Sequence, residues 1–576
     1  MADTADTAGR ADLGDWAVAA VAPGVVLAVD PAGWFPFGPL RWLVVTLLVL
    51  VGAALIVARD RAVLLPPMVR WATVVLVATT AVGALMGLDG LYAWTGTPER
   101  HTGVAFWVLC AVAMTVGASS AGNRLLAPGL VLAGLALGAT ATAEAFGWEP
   151  AVFDLGSRLS GLMGSPAFLG AAAALIGPIC LGVASGGASR GAGRGGRALR
   201  VAASIAAATC AVALAGSGAR AAWVGVVVAA VVVALARRVW SRGRATIAAA
   251  AAGFLLLAAV LVALTPVGAR LVALWDDDAP GGRGRLDEWR VAAAVVADHP
   301  LTGVGPEGYR IAFAEGVDEG YEARHGRDPL PDRAHSGPLD VALSGGVVAL
   351  GAWLVVLAGV ARSAWRAMRS GGAFSVGVAA GLVAHWVGQL FLFPVSSLEP
   401  IAWLLGGWLL SSSLAGEAAA ASAGSTASAW VRRVATPVLA VLVLVALVTG
   451  GLGVAADRQA RVAAETGSLE AAQSAVDLRP DVVRHHLLLA RVRVANGEGL
   501  VSAIDAVDDA LAVSPRDPIV RLARARYLVE RAVATEVPAH AAAARADVWA
   551  LLADDPLETR AWALALVVAA IEPPSG

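Results

Sequence analysis

The chain has 576 residues, of which 58% are hydrophobic and 15% charged, with a formal net charge of -1 and a mean hydropathy of +0.71. That is the balance of a membrane protein, and it argues against a general nucleic-acid binder, which needs a basic stripe to neutralise phosphates. All 43 basic residues are Arg, a bias that an Ala- and Arg-rich genome explains without invoking function.

A bilayer core of about 30 Å takes roughly 20 apolar residues per helix, and the first 455 residues contain thirteen such segments. In chain order they run 13 to 29, 39 to 58, 69 to 88, 102 to 119, 125 to 147, 166 to 185, 198 to 216, 220 to 236, 246 to 265, 338 to 361, 375 to 394, 397 to 416 and 434 to 454. The first lacks the basic flank and small-residue cleavage site of a secretory signal and reads as a retained span. Cys110, Cys180 and Cys210 fall in apolar runs without CxxC spacing, as buried small hydrophobes do. Alternate loops collect Arg: Arg59, Arg61 and Arg70 after span two; Arg190, Arg194, Arg197 and Arg200 after span six; Arg237, Arg238, Arg242 and Arg244 after span eight; Arg362, Arg366 and Arg369 after span ten. The positive-inside bias then places the N-terminus in the cytoplasm, and the polar stretch 266 to 337 and everything after about Ala455 on the outer side.

Three sets of polar residues in this greasy chain call for a reason, because charge at membrane depth is costly. Arg220, in "AGSGARAAWVGVVVAA", lies at the outer end of two spans joined by almost no loop; it is a snorkelling anchor or a site residue. From Leu286, the residues Leu286, Trp289, Ala293 and Val296 recur at helical spacing, predicting an amphipathic helix that ends near His299-Pro300, before the turn "GVGPEG". Arg285 stands at its positive N-terminal end, favourable for an anion, with Arg290 on a more polar side; pairing of both with Asp287, Glu288 or other loop acids is the competing reading. His335 immediately precedes the span that opens at Pro338, where Arg220 and the Arg285 helix would converge, and His is suited to proton transfer near neutral pH. The run Asp276 to Asp278 is the one candidate metal site, yet three consecutive acids share no face of a helix or strand, so a solvated turn is expected.

The region after Ala455 is charged, Ala-rich and helical in period. "LRPDVVRHHLLLARVRVANG" (478 to 497) is echoed by "VSPRDPIVRLARARYLVERA" (513 to 532), with Pro480 and Pro515 35 residues apart, and "DDPLETRAWALALVVAA" (554 to 570) is a looser third copy. The pattern resembles tetratricopeptide repeats, whose stacked helix pairs share a core and present a groove. A plain helical cap and a docking surface both remain open.

The ordered pieces "SGARAAW", "GRLDEW...HPLTGVGPEGY" and "AHSGPLDVALSGGVVALG" resemble the O-antigen ligase and O-antigen polymerase superfamily, with its many spans, one long external loop, Arg-x-x-x-Trp, Pro-Leu-x-Gly-x-Gly and a His leading into the next span. "RLSGLMGSPAFLGAAAAL" (158 to 175) is similar to that superfamily's Arg-x-x-Gly segment. Ser336 stands where the family often has Asn, and Ser165-Pro166-Ala167 where it has Asn-Pro-Asn. The resemblance covers residues 155 to 365 best. It implies an all-α polytopic bundle of 12 to 13 spans, related to the polyprenyl-sugar glycosyltransferases, over 1–454, followed by an extracytoplasmic helical repeat domain over 455–576. It further implies an inverting, metal-independent transfer of a glycan from a polyprenyl pyrophosphate carrier to an acceptor hydroxyl at the outer face of the cytoplasmic membrane, with no cofactor. In that scheme His335 takes the acceptor proton, Arg285 and Arg220 hold the pyrophosphate as bidentate donors, and Arg158 and Arg290 bind substrate. Partners would be the lipid-linked glycan, a glycan, lipid or protein acceptor, membrane lipids and a protein at 455–576. A polysaccharide polymerase of the same superfamily is the alternative; a transporter would show paired broken helices or a repeat of its two halves, and a membrane-anchored scaffold would leave the loop Arg and His replaceable.

Overall fold

A computed structural model describes residues 11–148, 150, 158–186, 194–237, 284–414 and 429–571. The described residues are helical throughout, without strands. The membrane part contains α1 (Leu13–Leu27), α2 (Pro39–Ala58), α3 (Pro67–Met86), a single turn α4 (Tyr92–Thr95), α5 (Val104–Ser119), α6 (Leu126–Ala145), α7 (Pro166–Ser185), α8 (Arg194–Ser217) and α9 (Arg220–Ala236). After α10 (Arg285–Asp298), α11 (Tyr309–Gly316) and α12 (Glu319–His325) come α13 (Gly337–Ser370), α14 (Ala373–Gly388), α15 (Glu399–Leu414) and α16 (Ala429–Thr466). Eight of these helices are long and apolar enough to cross a bilayer, and α1, α5 and α9 are shorter apolar helices. The protein is a multi-pass membrane protein. Twelve of the thirteen predicted spans coincide with helices; the ninth, 246 to 265, lies outside the described residues, as do Asp276 to Asp278.

Between helices in lipid there is no hydrophobic drive, so association rests on close packing and polar contacts. Glycines supply the closeness where α5 meets α15: a Cβ on Gly117 would overlap the Leu404 carbonyl, and one on Gly407 the Met114 carbonyl. Helix α1 packs between α2 and α6, α8 between α6 and α7, and α14 between α7 and α9, while α3 lies along α13. Helix α16 lies against α2 and leaves its apolar span exposed at the edge of the bundle, the surface lipid would cover.

One end of the bundle gathers the basic loops. Asp12 caps α1 in a capping box with Asp15, and Arg61 ties both acids to the end of α2 at 2.8 and 2.9 Å. At the same end Arg432 pairs with Asp60 (2.5 Å), and Arg237 donates to the Gly371 carbonyl (3.1 Å). The opposite end carries the 284–336 segment and the C-terminal helices, joined to each other by Arg310, which pairs with Asp517 at 2.6 Å. The described part of the polar stretch and the C-terminal helices are thus in direct contact.

The C-terminal helices are α17 (Leu469–Leu478), α18 (Val483–Ala495), α19 (Gly499–Val513), α20 (Pro518–Thr535), α21 (Pro538–Asp554) and α22 (Thr559–Ile571). Successive helices pack on one another through small residues such as Ala472, Ala475, Ala503, Ala506 and Ala525. Helix α16 runs unbroken from the membrane into this array, so the last span and the first helix of the array are one rod of 38 residues.

Candidate active site

The eleventh predicted span, 375 to 394, ends early. Helix α14 stops at Gly388, a 3-10 turn covers Gln389–Phe391, and the chain then runs irregularly to Glu399. Pro394 disfavours helix at the residue before it, and buried Glu399 supplies the rest of the cause. Its carboxylate accepts from Gln389 Nε2 (2.8 Å) and Trp403 Nε1 (3.1 Å), and His385 Nε2 lies 2.9 Å away. Hydropathy alone does not reveal this stop, because Leu390, Phe391, Leu392 and Phe393 are as apolar as the helix before them.

The turn is where Arg285, His335 and the start of α9 meet. The Arg285 guanidinium donates to the Phe391 carbonyl, and Trp289 stands 6.0 Å from the Phe391 ring. The His335 ring tilts against Phe393 at 5.3 Å. Arg220 opens α9, whose first turn abuts the same place: a Cβ on Gly388 would stand 3.6 Å from the Ala221 carbonyl oxygen. Arg285 is exposed, and His335 and Arg220 are half-buried, so polar groups converge at the mouth of an apolar bundle. Arg158 is exposed and sits one residue before Leu159, whose amide donates to the Gly216 carbonyl near the end of α8 at 3.1 Å. Arg290 points elsewhere, pairing with Asp287 at 2.7 Å on an exposed surface.

His335 is held in a conformation that non-glycine residues seldom adopt, with φ of 50°, a strain that persists only where the surroundings enforce it. Those surroundings escaped the sequence reading. Arg333 pairs with buried Glu307 at 2.5 Å, and Thr102 bridges the two at 2.6 and 2.7 Å. The Ala334 amide donates to Asp340 (3.0 Å). Arg100 pairs with Asp332 (2.8 Å) and lies over the Phe393 ring at 4.8 Å. Burial raises the Asp332 carboxyl, but the Arg100 and Arg333 guanidiniums outweigh that and leave it below its ordinary value. The adjacent charges in "PDRAH" were the one available signal; Arg100 and Glu307 come from distant segments.

The amphipathic helix is present as α10, ending at Asp298, but its buried face is not the expected one. Glu288, Val291, Ala292 and Val295 are buried, whereas Leu286 is 60% exposed. The reason is tertiary: α10 packs against α11 and Phe313 as well as against α13, and Trp289 is turned toward the Phe391 turn. Asp287 in its first turn is held below the usual carboxylate range by its bond to His325 (3.0 Å), with Arg324 and Arg290 adding to it.

"HPLTGVG" and "LSGG" explain each other. Helix α13 breaks at Gly345 and Gly346, Gly346 with φ of 75°, and the 299–305 segment fills the break. Val347 N donates to the Pro300 carbonyl and Val304 N to the Leu343 carbonyl, each at 2.8 Å. Backbone groups freed inside a membrane must find partners within the protein, and this loop supplies them. The glycine motif thus clamps the segment that carries Arg285 onto the helix that begins beside His335.

Residues 205–354 match the family model described as O-antigen ligase. Over that stretch the chain is similar to the O-antigen ligase family. No curated protein matches the chain. The O-antigen ligase match runs from within α8 to within α13, so it contains Arg220, Arg285, Arg290, His335 and the Gly345–Gly346 break, and omits Arg158, Arg100 and the Phe391 turn. It supports a glycan-transferring activity of the ligase or polymerase type.

Proposed function

We propose that the protein moves a glycan from a polyprenyl pyrophosphate carrier to an acceptor hydroxyl, with inversion, at the outer face of the cytoplasmic membrane. The observation that carries this reading is the meeting of Arg285, His335 and the start of α9, headed by Arg220, at one turn beside apolar spans, all three within the stretch similar to the O-antigen ligase family. In the proposed step the acceptor oxygen attacks the anomeric carbon as the bond from that carbon to the pyrophosphate oxygen breaks. His335 accepts the hydroxyl proton. Arg285 and Arg220 take up the charge growing on the leaving pyrophosphate, a role for which a planar, permanently charged fork is suited. Arg158 and Arg290 act further out, on the substrate's approach. Apolar grooves between spans hold the polyprenyl tail, which explains a site at the membrane boundary.

On this reading the Arg-rich end faces the cytoplasm, and the tetratricopeptide-like helices outside recruit or orient an acceptor or a protein partner. Ligase and polymerase differ in the acceptor alone.

The test separates donor binding from turnover on purified variants in nanodiscs. His335→Ala should lose on the order of a hundredfold to ten-thousandfold in turnover while still binding donor. Arg285→Lys should be severely impaired, because a point charge does not reproduce a two-oxygen contact. Chelator should leave the wild type unaffected. Near-normal turnover in both variants removes the site assignment, and a chelator-sensitive wild type points to a metal-dependent transfer instead.

A further inference from the structure

Arg41, in the first turn of α2, is 3% exposed and pairs with no carboxylate among the described residues. One amino group donates to the Leu162 carbonyl (2.5 Å), the guanidinium lies 5.4 Å over the Phe37 ring, and Nε has no partner. A guanidinium has five N–H donors, and burying one without an anion is costly. A snorkelling role fails, since snorkelling carries the charged head to water and this one is enclosed.

Arg41 lines a cavity of about 170 Å³, walled by the aromatic rings of Phe37, Trp42 and Phe168 and by Ser396 and Ser397. Among the described residues Glu99 is the one acid on the wall, and it is engaged by Arg484 of α18 at 2.6 Å, so the Arg41 charge is left over. Phe168 meets Phe393 edge to face at 5.8 Å, and His335 and Arg100 lie against that same Phe393. The cavity therefore adjoins the proposed active site through one aromatic side chain.

We propose that this cavity is a subsite for one acidic sugar ring, of the hexuronate class, belonging to the glycan being transferred or extended. Size limits the occupant to about one ring, being below the roughly 300 Å³ where drug-sized pockets begin. A single guanidinium matches a monoanionic carboxylate, bidentately; a phosphate dianion would meet one cation and the Glu99 carboxylate. Aromatic faces carry negative charge that favours the C–H face of a pyranose, and the serine hydroxyls suit its ring hydroxyls. The identity of the occupant rests on the glycan-transfer reading, whereas the anion requirement rests on Arg41 alone.

The experiment measures ligand binding, not turnover. Full-length protein in nanodiscs of zwitterionic lipid is titrated with D-glucuronate, glucose and glucose 6-phosphate, followed by saturation-transfer NMR. Glucuronate should bind at least about tenfold more tightly than glucose, and Arg41→Gln should weaken it on the order of ten- to a hundredfold, the worth of charge-assisted hydrogen bonds. Ser396→Val fills the cavity while leaving Arg41 and its bond to Leu162 in place, and should weaken glucuronate by a similar factor; it decides the question if Arg41→Gln does not fold. Preference for glucose 6-phosphate, loss of glucuronate binding on adding phosphatidylglycerol, or equal binding by wild type and Ser396→Val each overturns the subsite. His335→Ala should bind glucuronate normally, so a failed transfer mechanism and a failed subsite give different results.

Discussion

Arg310→Met should loosen the C-terminal helices from the membrane part. Arg310 has a side chain 8% exposed and is clamped between Asp517, which caps α20, and Asp89, which follows α3 and is fully buried. Its ring neighbour Tyr92 accepts from the Val483 amide (2.8 Å) and donates to the Asp481 carbonyl (3.1 Å), so the cluster sits at the centre of the contact. Met keeps most of the volume and removes the charge, leaving two buried carboxylates facing each other. Breaking a buried pair in this way costs about 3 to 5 kcal/mol, which is roughly two to nearly four powers of ten in the docked-to-undocked ratio. Burial already raises the Asp89 carboxyl, with Arg310 opposing it; without Arg310 it rises further. A carboxyl with a raised folded value stabilises the docked form while protonated, so the deficit should be smallest near pH 4 and grow as pH rises through that value. Limited proteolysis of the α16–α17 junction and thermal unfolding in nanodiscs, each across pH, measure this, and Asp89→Asn added to Arg310→Met should recover part of the loss. Wild-type proteolysis and melting for Arg310→Met would show that the cluster does not hold the two parts together.

Gly346→Ala places a side chain at φ of 75° against the Leu301 carbonyl; it should cost about 1 to 3 kcal/mol or more and speed hydrogen exchange at the Val304 and Val347 amides, and unchanged exchange would count against the clamp. Arg100→Gln leaves His335 in place but removes the support beneath Asp332 and Phe393, so turnover should fall on the order of ten- to a hundredfold with donor affinity little changed; a loss confined to donor affinity would make Arg100 a binding residue instead. His101 and His485 line the cavity of about 130 Å³ between the membrane part and the C-terminal helices. Burial, with Arg479 adding to it, pushes them down to about 3 and about 4. The unfolded or undocked chain takes these protons first, so stability should be lost as pH falls from about 6.5 toward 4, by about 1.4 kcal/mol per pH unit for each His at most. His101→Asn and His485→Asn should flatten that limb of the melting curve, and an unaltered slope would show that these rings do not carry it.

What could be read from the chain was whatever depends on local composition. Apart from the single turn α4, each helix from α1 to α9 and from α13 to α16 follows from a long apolar run, because the solvent penalises an unpaired backbone whatever the partner helices are. The start of α10 at Arg285 and its end before His299-Pro300 likewise follow from short-range rules, and so do the breaks at the prolines that punctuate the C-terminal helices.

The grouping of Arg220, Arg285 and His335 at one turn followed from motif order. The stop at Gly388 was not legible, because it depends on Glu399 drawing Gln389 and His385 together against an apolar background. The buried face of α10 was misjudged because Phe313, from a different helix, decides which side is covered. Arg100 and Glu307, from segments far from the His335 loop in sequence, support it only once those segments meet at one end of the bundle. Hydropathy acts on a segment alone, so the chain by itself determined the spans; hydrogen bonds and ion pairs need two segments at a defined distance, so tertiary packing decided which polar groups meet.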